Sequence, residues 1–321
     1  MTKNTWKVIA SLPEDSAISG MSVTHETTAS RLWLCSPAGL FYEKDGQFKQ
    51  QVQGIPFQNA SAVLGLAKTV LAAGYPNYIL YSANGGHAWF RSWVEPITSP
   101  ITCFAASPHF SRDPLVLAGS DGNGILRSTD GGASWQISNH GLGSLYVLAL
   151  LCAPAWKHKT LPNGVAWNEE IVFAATEAGV YRSPNAGRAW QFCSAGLPNA
   201  PILSLALSPD FDKTPSLSDS RYMGDLFAGM DNAGLYRSRD GGQTWQALST
   251  FPAQATVNAL LFDSRHRLLA GTGKHGLLAS TNLGETWFPL LESEAVILCL
   301  AEQGNRLLAG TAENGLLACT I

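Results

Sequence analysis

Short apolar runs recur along the whole chain, several of them alternating with polar positions, and each is bounded by Gly, Pro, Asn or Asp. That is the pattern of many short strands joined by turns. The unit is clearest from Ile202 to Leu248, where ILSLALS, DLFAGM, GLYRS and TWQALS read as four strands, named A to D from the innermost outward. A first set, ISGMSVT, RLWLCS, GLFYEK and QFKQQV, lies between Ile18 and Gln53. ASAVLGLA, TVLAAG, YILYSA and AWFRSW form a second, and ITCFAAS, LVLAGS, GILRST and SWQIS a third. The fourth, VLALLCA, IVFAAT, GVYRS and AWQFCS, carries an insertion from Pro154 to Glu170, and the fifth carries one from Pro209 to Gly224. VNALLFD, RLLAGT, GLLAST and TWFPLL make the sixth.

The seventh set, VILCLAE, RLLAGT and GLLACTI, reaches Ile321 without a fourth strand. Its complement stands at the other end of the chain, where Asn4-Thr5-Trp6-Lys7-Val8-Ile9 matches Glu285-Thr286-Trp287-Phe288-Pro289-Leu290. Joining the ends puts Trp6 40 residues after Trp287, against 42 from Trp245 to Trp287 and 42 from Trp6 to Phe48. A fixed period of this length argues for one closed array. The spacing predicts an all-β fold: a seven-bladed β-propeller of four-stranded antiparallel blades, occupying residues 1–321 as one domain. Residues 1–10 supply the outer strand of the last blade and 292–321 its inner three strands. Pairing both chain ends inside one sheet covers an edge that would otherwise invite aggregation.

Between strands C and D an eight-residue pattern repeats. Ser128 to Trp135 (STDGGASW) and Ser238 to Trp245 (SRDGGQTW) are near copies, and looser ones run from Ser82 to Trp89, Ser183 to Trp190 and Ser280 to Trp287. Asp130, Asp240, Asn84, Asn185 and Asn282 share a place where a short polar side chain bonds nearby backbone N–H groups. Gly132, Gly242, Gly86, Gly187 and Gly284 share one where a positive φ is expected. Trp135, Trp245, Trp89, Trp190 and Trp287 then begin strand D and are expected to cover apolar area between neighbouring blades. In the first set, Glu43 to Phe48 is a shortened copy with Phe in the Trp place.

Hydrophobic residues make up 45% of the chain and charged residues 14%, well under the roughly 25% of ordinary soluble domains. Much of every strand is therefore expected to be buried. A net charge of −3 with no Lys/Arg cluster gives no electrostatic ground for binding nucleic acid or an anionic membrane. Cys35, Cys103, Cys152, Cys193, Cys299 and Cys319 lack the spacing of a disulfide or zinc framework and read as small buried hydrophobes of a reducing compartment. No apolar run has the length of a signal peptide or a membrane span. The expected location is the cytoplasm, with no cofactor or metal.

The pattern S-x-D-x-G-x-[ST]-W resembles the Asp box of bacterial sialidases and related propellers. The fuller repeat AGMDNAGLYRSRDGGQTW is similar to those of photosystem II assembly and stability factors. Similar boxes occur in xyloglucan-cleaving glycosidases and in sortilin-type sorting receptors. The resemblance implies the propeller fold over nearly the whole chain. It also implies a structural role for the box, which in these families lies on the face opposite the sialidase active site. It does not imply one activity, because a fold hosts many functions.

A sialidase needs three Arg clamping a carboxylate, a Tyr nucleophile with a Glu partner, and an Asp acid. Arg127, Arg182 and Arg237 share one repeat position, one residue before the Ser of each box, and that periodicity marks them as structural; an Arg-Ile-Pro type motif is also absent. Other glycosidases need only a carboxylate pair. The D-to-A and B-to-C loops share one face, where Asp121, Glu177, Asp231 and Glu313 occupy B-to-C loops. Glu14, Asp15, Glu292 and Glu294 occupy the loops beside the seam. The candidate partner or ligand residues of this face are Asp15, Asp121, Glu177, Asp231, Glu294 and Glu313. The A strands carry almost no ionisable residues, which argues against catalysis in the channel.

A-to-B loops share the opposite face with the Asp boxes. Phe110, Trp156, Trp167 and Phe211 fall there, either as a rim-packing motif, since SPHF, APAW and SPDF recur at one repeat position, or as exposed anchors for a partner. His25, His87, His109, His158 and His266 map to the same face without metal-ligand spacing. The paired glycines of the boxes precede strands and so make no phosphate cradle. No nucleophile elbow is present, and no catalytic residue is assigned.

The sequence thus points to a non-enzymatic propeller that acts as an interaction or assembly scaffold for a protein partner. The alternative is a glycan-related protein, a glycoside hydrolase or a lectin, using the acidic loop face. In either case function belongs to the loops that do not repeat.

Overall fold

The computed structural model describes residues 5–10, 12, 17–25, 30–56, 58–94, 97–160, 166–211 and 224–321, with side chains described outside 25 and 155–169. Every regular element among them is a strand, and the strands form seven sheets arranged as the blades of a propeller. Strands A to D of blade 1 are Gly20–His25, Ser30–Ser36, Gly39–Lys44 and Gln47–Gln50. Those of blade 2 are Ala60–Leu66, Thr69–Gly74, Tyr78–Ser82 and Phe90–Arg91, and those of blade 3 Ile101–Ala106, Val116–Ser120, Ile125–Ser128 and Ser134–Ile137. Blade 4 has Val147–Thr160, Ala166–Thr176, Gly179–Ser183 and Gln191–Phe192. Blade 5 has Ile202–Leu207, Leu226–Met230, Leu235–Ser238 and Gln246–Ala247, and blade 6 Val257–Phe262, Leu268–Thr272, Leu277–Ser280 and Phe288–Leu291.

Blade 7 is built from both ends of the chain. Ile297–Gln303, Arg306–Thr311 and Leu316–Thr320 are its inner strands, and Lys7–Ala10 pairs antiparallel with the last of them, Val8 opposite Leu317. Trp6 donates its indole N–H to Leu290 O at 2.9 Å, which places it in the groove between blades 6 and 7. Each A strand touches the next, and strand A of blade 7 touches strand A of blade 1, so the ring is closed. Across the seam, Ile18 N–H donates to Thr311 O at 3.0 Å. Arg306 holds Glu43 with two charge-assisted bonds of 3.0 and 2.6 Å, the bidentate arrangement that gives such pairs their directionality.

The core lies between the blades. Among the described residues seven apolar clusters form, and each joins two neighbouring sheets. This explains why strand B does not alternate: VLAGS, LFAGM and LLAGT are buried at every position because a blade covers each face. The blades converge toward the axis, and the glycine of these B strands makes room for strand A of the next blade. A Cβ on Gly271 would come 2.6 Å from Ile297 Cγ2.

Two features differ from the strand pattern expected of the sequence. The insertion between Pro154 and Glu170 continues strands A and B of blade 4 into a long hairpin, with Trp156 opposite Glu170 and Thr160 opposite Ala166. The D strands of blades 2, 4 and 5 are only two residues long. In blades 4 and 5 the box tryptophan is drawn to the linker arriving from the preceding blade: Trp190 N–H donates to His140 O and Trp245 N–H to Ala195 O, both at 2.8 Å.

Candidate functional site

The Asp boxes form closed hydrogen-bond circuits. In the blade 3 box, Ser128 Oγ donates to Asp130 Oδ1 at 2.8 Å and accepts the buried Gly132 N–H at 2.8 Å. Asp130 Oδ1 accepts the Ser134 N–H at 2.9 Å, and Trp135 Nε1 donates to Gly132 O at 3.0 Å. Ser238, Asp240, Gly242, Thr244 and Trp245 repeat the circuit, and Asn84, Asn185 and Asn282 accept the equivalent N–H bonds at 2.8 to 2.9 Å. Gly132 and Gly242 have φ of 96° and 90°, which Gly adopts without strain. Burial alone would raise the Asp130 carboxyl, but the bonds from Ser134, Ser128 and Ala133 outweigh it and hold it below the usual value. Trp135, Trp190 and Trp245 are buried between blades, while Trp89 and Trp287 are half-buried.

Two of the periodic arginines, Arg127 and Arg237, tie blades together. Arg127 Nε donates to Ala186 O at 2.7 Å, and Arg237 binds Asp225 at 2.6 Å and reaches Glu285 at 3.1 Å. Ala186 and Glu285 both belong to the box of the following blade.

The B-to-C loops and the linkers into strand A share one face, as the bonds from Asp121 N to Pro100 O, Glu177 N to Tyr146 O and Asp231 N to Pro201 O show. Asp121, Glu177 and Asp231 are each the first residue after strand B, and Tyr75 fills the same place in blade 2. Four consecutive blades therefore present Tyr, Asp, Glu and Asp at one radius; Pro37, Gly273 and Ala312 stand there in the remaining blades. Asp231 is held by Thr256 Oγ1 at 2.9 Å and Asn232 Nδ2 at 3.0 Å. Asp121 and Glu177 are exposed, as are Glu294 and Glu313. Asp15 and Glu14 lie outside the described residues.

Between blades 3 and 4 this face opens into a groove of about 500 Å³, lined by Gly122, Gly143, Ser144, Leu145, Tyr146 and Glu177 among others. Its backbone is pinned on both sides. Gly122 and Gly124 donate to Leu145 O at 3.1 and 3.0 Å, Glu177 N–H donates to Tyr146 O at 3.2 Å, and Asp121 forms an antiparallel bridge with Tyr146. Leu145 and Tyr146 nonetheless remain 40% and 46% exposed. Reading the linkers as connections alone missed this pair. Its signal in the sequence is a Leu-Tyr immediately before a strand A that needs no further apolar residue.

On the opposite face the proposed aromatic anchors separate. Phe211 is 2% exposed and meets Phe173 edge-on at 6.2 Å in the interface of blades 4 and 5, so of its two readings rim packing fits and the exposed anchor is corrected. Phe110 is half-buried against the cluster of blades 2 and 3. Trp156 and Trp167 fall in the blade 4 hairpin, opposite Glu170 and Lys159, with side chains outside those described.

Glu170 begins the hairpin's return to the core and is 1% exposed. Burial pushes its carboxyl up to about 7; nearby Ser107 opposes the shift, Asp113 adds to it and Arg127 opposes it. Neither carboxyl oxygen has a hydrogen bond of good geometry among the described residues. The group is enclosed and on the side of the ring away from the acidic loops. Also among the described residues, no three His, Cys, Asp or Glu side chains converge to hold a metal ion. The six cysteines are unpaired, and burial pushes the Cys103 and Cys299 thiols up to about 11 and about 12.

Residues 236–247 match the BNR/Asp-box repeat model, covering strand C and the box of blade 5. The chain's sequence matches no curated protein. Among solved structures, YCF48 bound to a D1 peptide is similar over 100% of this chain and 98% of its own, at 15% identity and a TM-score of 0.69. The GH74 xyloglucanase of Xanthomonas campestris is similar over 98% of this chain and 53% of its own, at 18% identity and 0.70. The WD40 propeller domain of Doa1 covers 99% and 97%, at 11% identity and 0.66. At these identities the likeness is one of fold.

Proposed function

We propose that this propeller is a protein-interaction scaffold, and that the partner docks on the face formed by the B-to-C loops and the linkers into strand A. One observation carries the reading: Leu145 and Tyr146 stay exposed on a backbone pinned by Gly122, Gly124 and Glu177. Apolar side chains held rigidly at the surface lose little entropy on binding and suit a protein contact. The surrounding circuits of boxes and arginines give the ring a stiff frame, on which only the loops vary. YCF48 with its D1 peptide supports the reading by example, as a chain of similar fold with a peptide bound.

A glycoside hydrolase would need an acid with a raised pKa facing a sugar site and a second carboxylate. Glu170, the described carboxylate pushed up to about 7, is enclosed on the other side of the ring, so the geometry favours the scaffold. The test is isolation of the chain from its native host without denaturant, followed by mass determination of the eluted species. A stoichiometric second protein is expected. A chain that elutes alone at every stage, while binding a glycan on an array, would overturn the proposal.

A further inference from the structure

We infer that the groove between blades 3 and 4 takes an extended, positively charged segment of a protein partner, one in which Lys or Arg neighbours an apolar residue. This inference rests on the scaffold reading and adds the partner's chemistry.

The lining of the groove mixes apolar and polar side chains, Leu145, Tyr146 and Ala178 beside Ser144, Glu177 and Asn199. Leu145 and Tyr146 supply the exposed apolar surface, and Gly122 lies beside them, where a Cβ would come 2.9 Å from Ser99 Oγ. The groove is shallow and open to solvent, a shape that suits a chain laid across it better than an enclosed small molecule. Glu177 is the charged residue in its lining, and Asp121 adjoins it next to Gly122.

Charge selects the occupant. The described loops of this face hold Asp121, Glu177, Asp231, Glu292, Glu294 and Glu313 against one lysine, Lys274, while the whole chain carries only −3. The opposite face mixes the signs, with Arg112, Arg188 and Arg239 among Asp113, Asp130 and Asp240. The negative field is therefore concentrated on the groove side, where it repels nucleic acid and attracts a cationic partner. Among the described residues its carboxylates do not converge on one point. Spread charge of this kind matches successive cations along a chain and does not form the cage of a bound metal ion.

The probe is a fluorescein-labelled octapeptide, Gly-Ser-Lys-Leu-Lys-Leu-Ser-Gly, followed by fluorescence polarisation against the full chain, with a second peptide carrying Glu in place of both Lys. The Lys peptide is expected to bind, more weakly as salt rises, and the Glu peptide is not. Asp121→Asn with Glu177→Gln should weaken the Lys peptide about tenfold, as loss of opposed charges does, and Tyr146→Ser should weaken it at all salt concentrations. Thermal melts of both variants like the parent's would show that the fold is intact. Equal binding of the two peptides, binding of neither, or unchanged affinity in the folded variants would overturn the inference. A native partner that still co-purifies with the Asp121→Asn/Glu177→Gln/Tyr146→Ser variant would dismiss the groove and leave the scaffold standing.

Discussion

Gly119 lies directly against Val147: a methyl group on Gly119 would sit 2.6 Å from Val147 Cγ1 and 2.7 Å from the Cys103 sulfur. The same contact recurs between Gly229 and Val257, Gly271 and Ile297, and Gly310 and Ile18. Near the axis, blades approach so closely that strand B has no room for a side chain where strand A of the next blade leans in. Gly119→Ala should therefore destabilise the protein by roughly 1–3 kcal/mol through overpacking. Urea denaturation would measure the change, and an unaltered midpoint would contradict the packing argument.

Closure of the ring rests on a few residues from each end. Removing residues 1–10 uncovers Leu316 to Ala318 and deletes the Trp6 bond to Leu290, so thermal unfolding should shift to much lower temperature. Trp6→Ala alone should cost about 3 kcal/mol or somewhat less, since Trp6 is half-buried. Unchanged melting of the truncated chain would show that the seam is held elsewhere.

The repeat made the ring legible. Phe48 and Trp6 in the Trp place located the first and last turns, and the split seventh set predicted that residues 1–10 supply the outer strand of the last blade; Lys7–Ala10 among them pairs with the C-terminal strand. The groove was legible only in part. Asp121 and Glu177 stood out as charges in loops, but Leu145 and Tyr146 precede the fourth strand A, which the pattern starts at Val147, and fell in a linker to which the repeat assigned no role. Their exposure depends on the bonds from Gly122, Gly124 and Glu177, which join residues from two blades. For Phe211 the sequence left rim packing and an exposed anchor open, and its burial at the interface of blades 4 and 5 fits the first.

Within the box, the serine and the acid differ in what their loss exposes. Ser128→Ala removes the acceptor of the buried Gly132 N–H and should cost about 1–3 kcal/mol, the penalty for an unsatisfied buried donor. Asp130→Asn keeps an Oδ1 for the Ser134 N–H, as Asn84, Asn185 and Asn282 do for theirs, and should cost less than about 1 kcal/mol. Because the Asp130 carboxyl is held low, its contribution is present above the unfolded value of 3.8 and is lost as pH falls through the lower folded value. Denaturant melts of both variants at neutral pH and near pH 3 would check the order and the acid loss.

Glu170 acts in the opposite sense. Its folded carboxyl titrates at about 7 and its unfolded one near 4.5, so the folded state holds the proton more tightly. Stability from this group is fully present below pH 4.5 and is lost as pH rises through about 7, by roughly 3 kcal/mol at most. Glu170→Gln should remove that part of the slope, making the variant relatively more stable above pH 7. Parallel stability curves for parent and variant from pH 4.5 to 7.5 would contradict the assignment.

The central claim is that a protein partner sits on the loop face. Hydrogen–deuterium exchange of the chain, alone and in its natively isolated complex, tests it most directly. Slowed exchange confined to residues 121–124, 142–146 and 177–178 is the predicted result. Protection confined to the box turns at 82–89, 128–135 and 238–245, with the loop face unchanged, would contradict it.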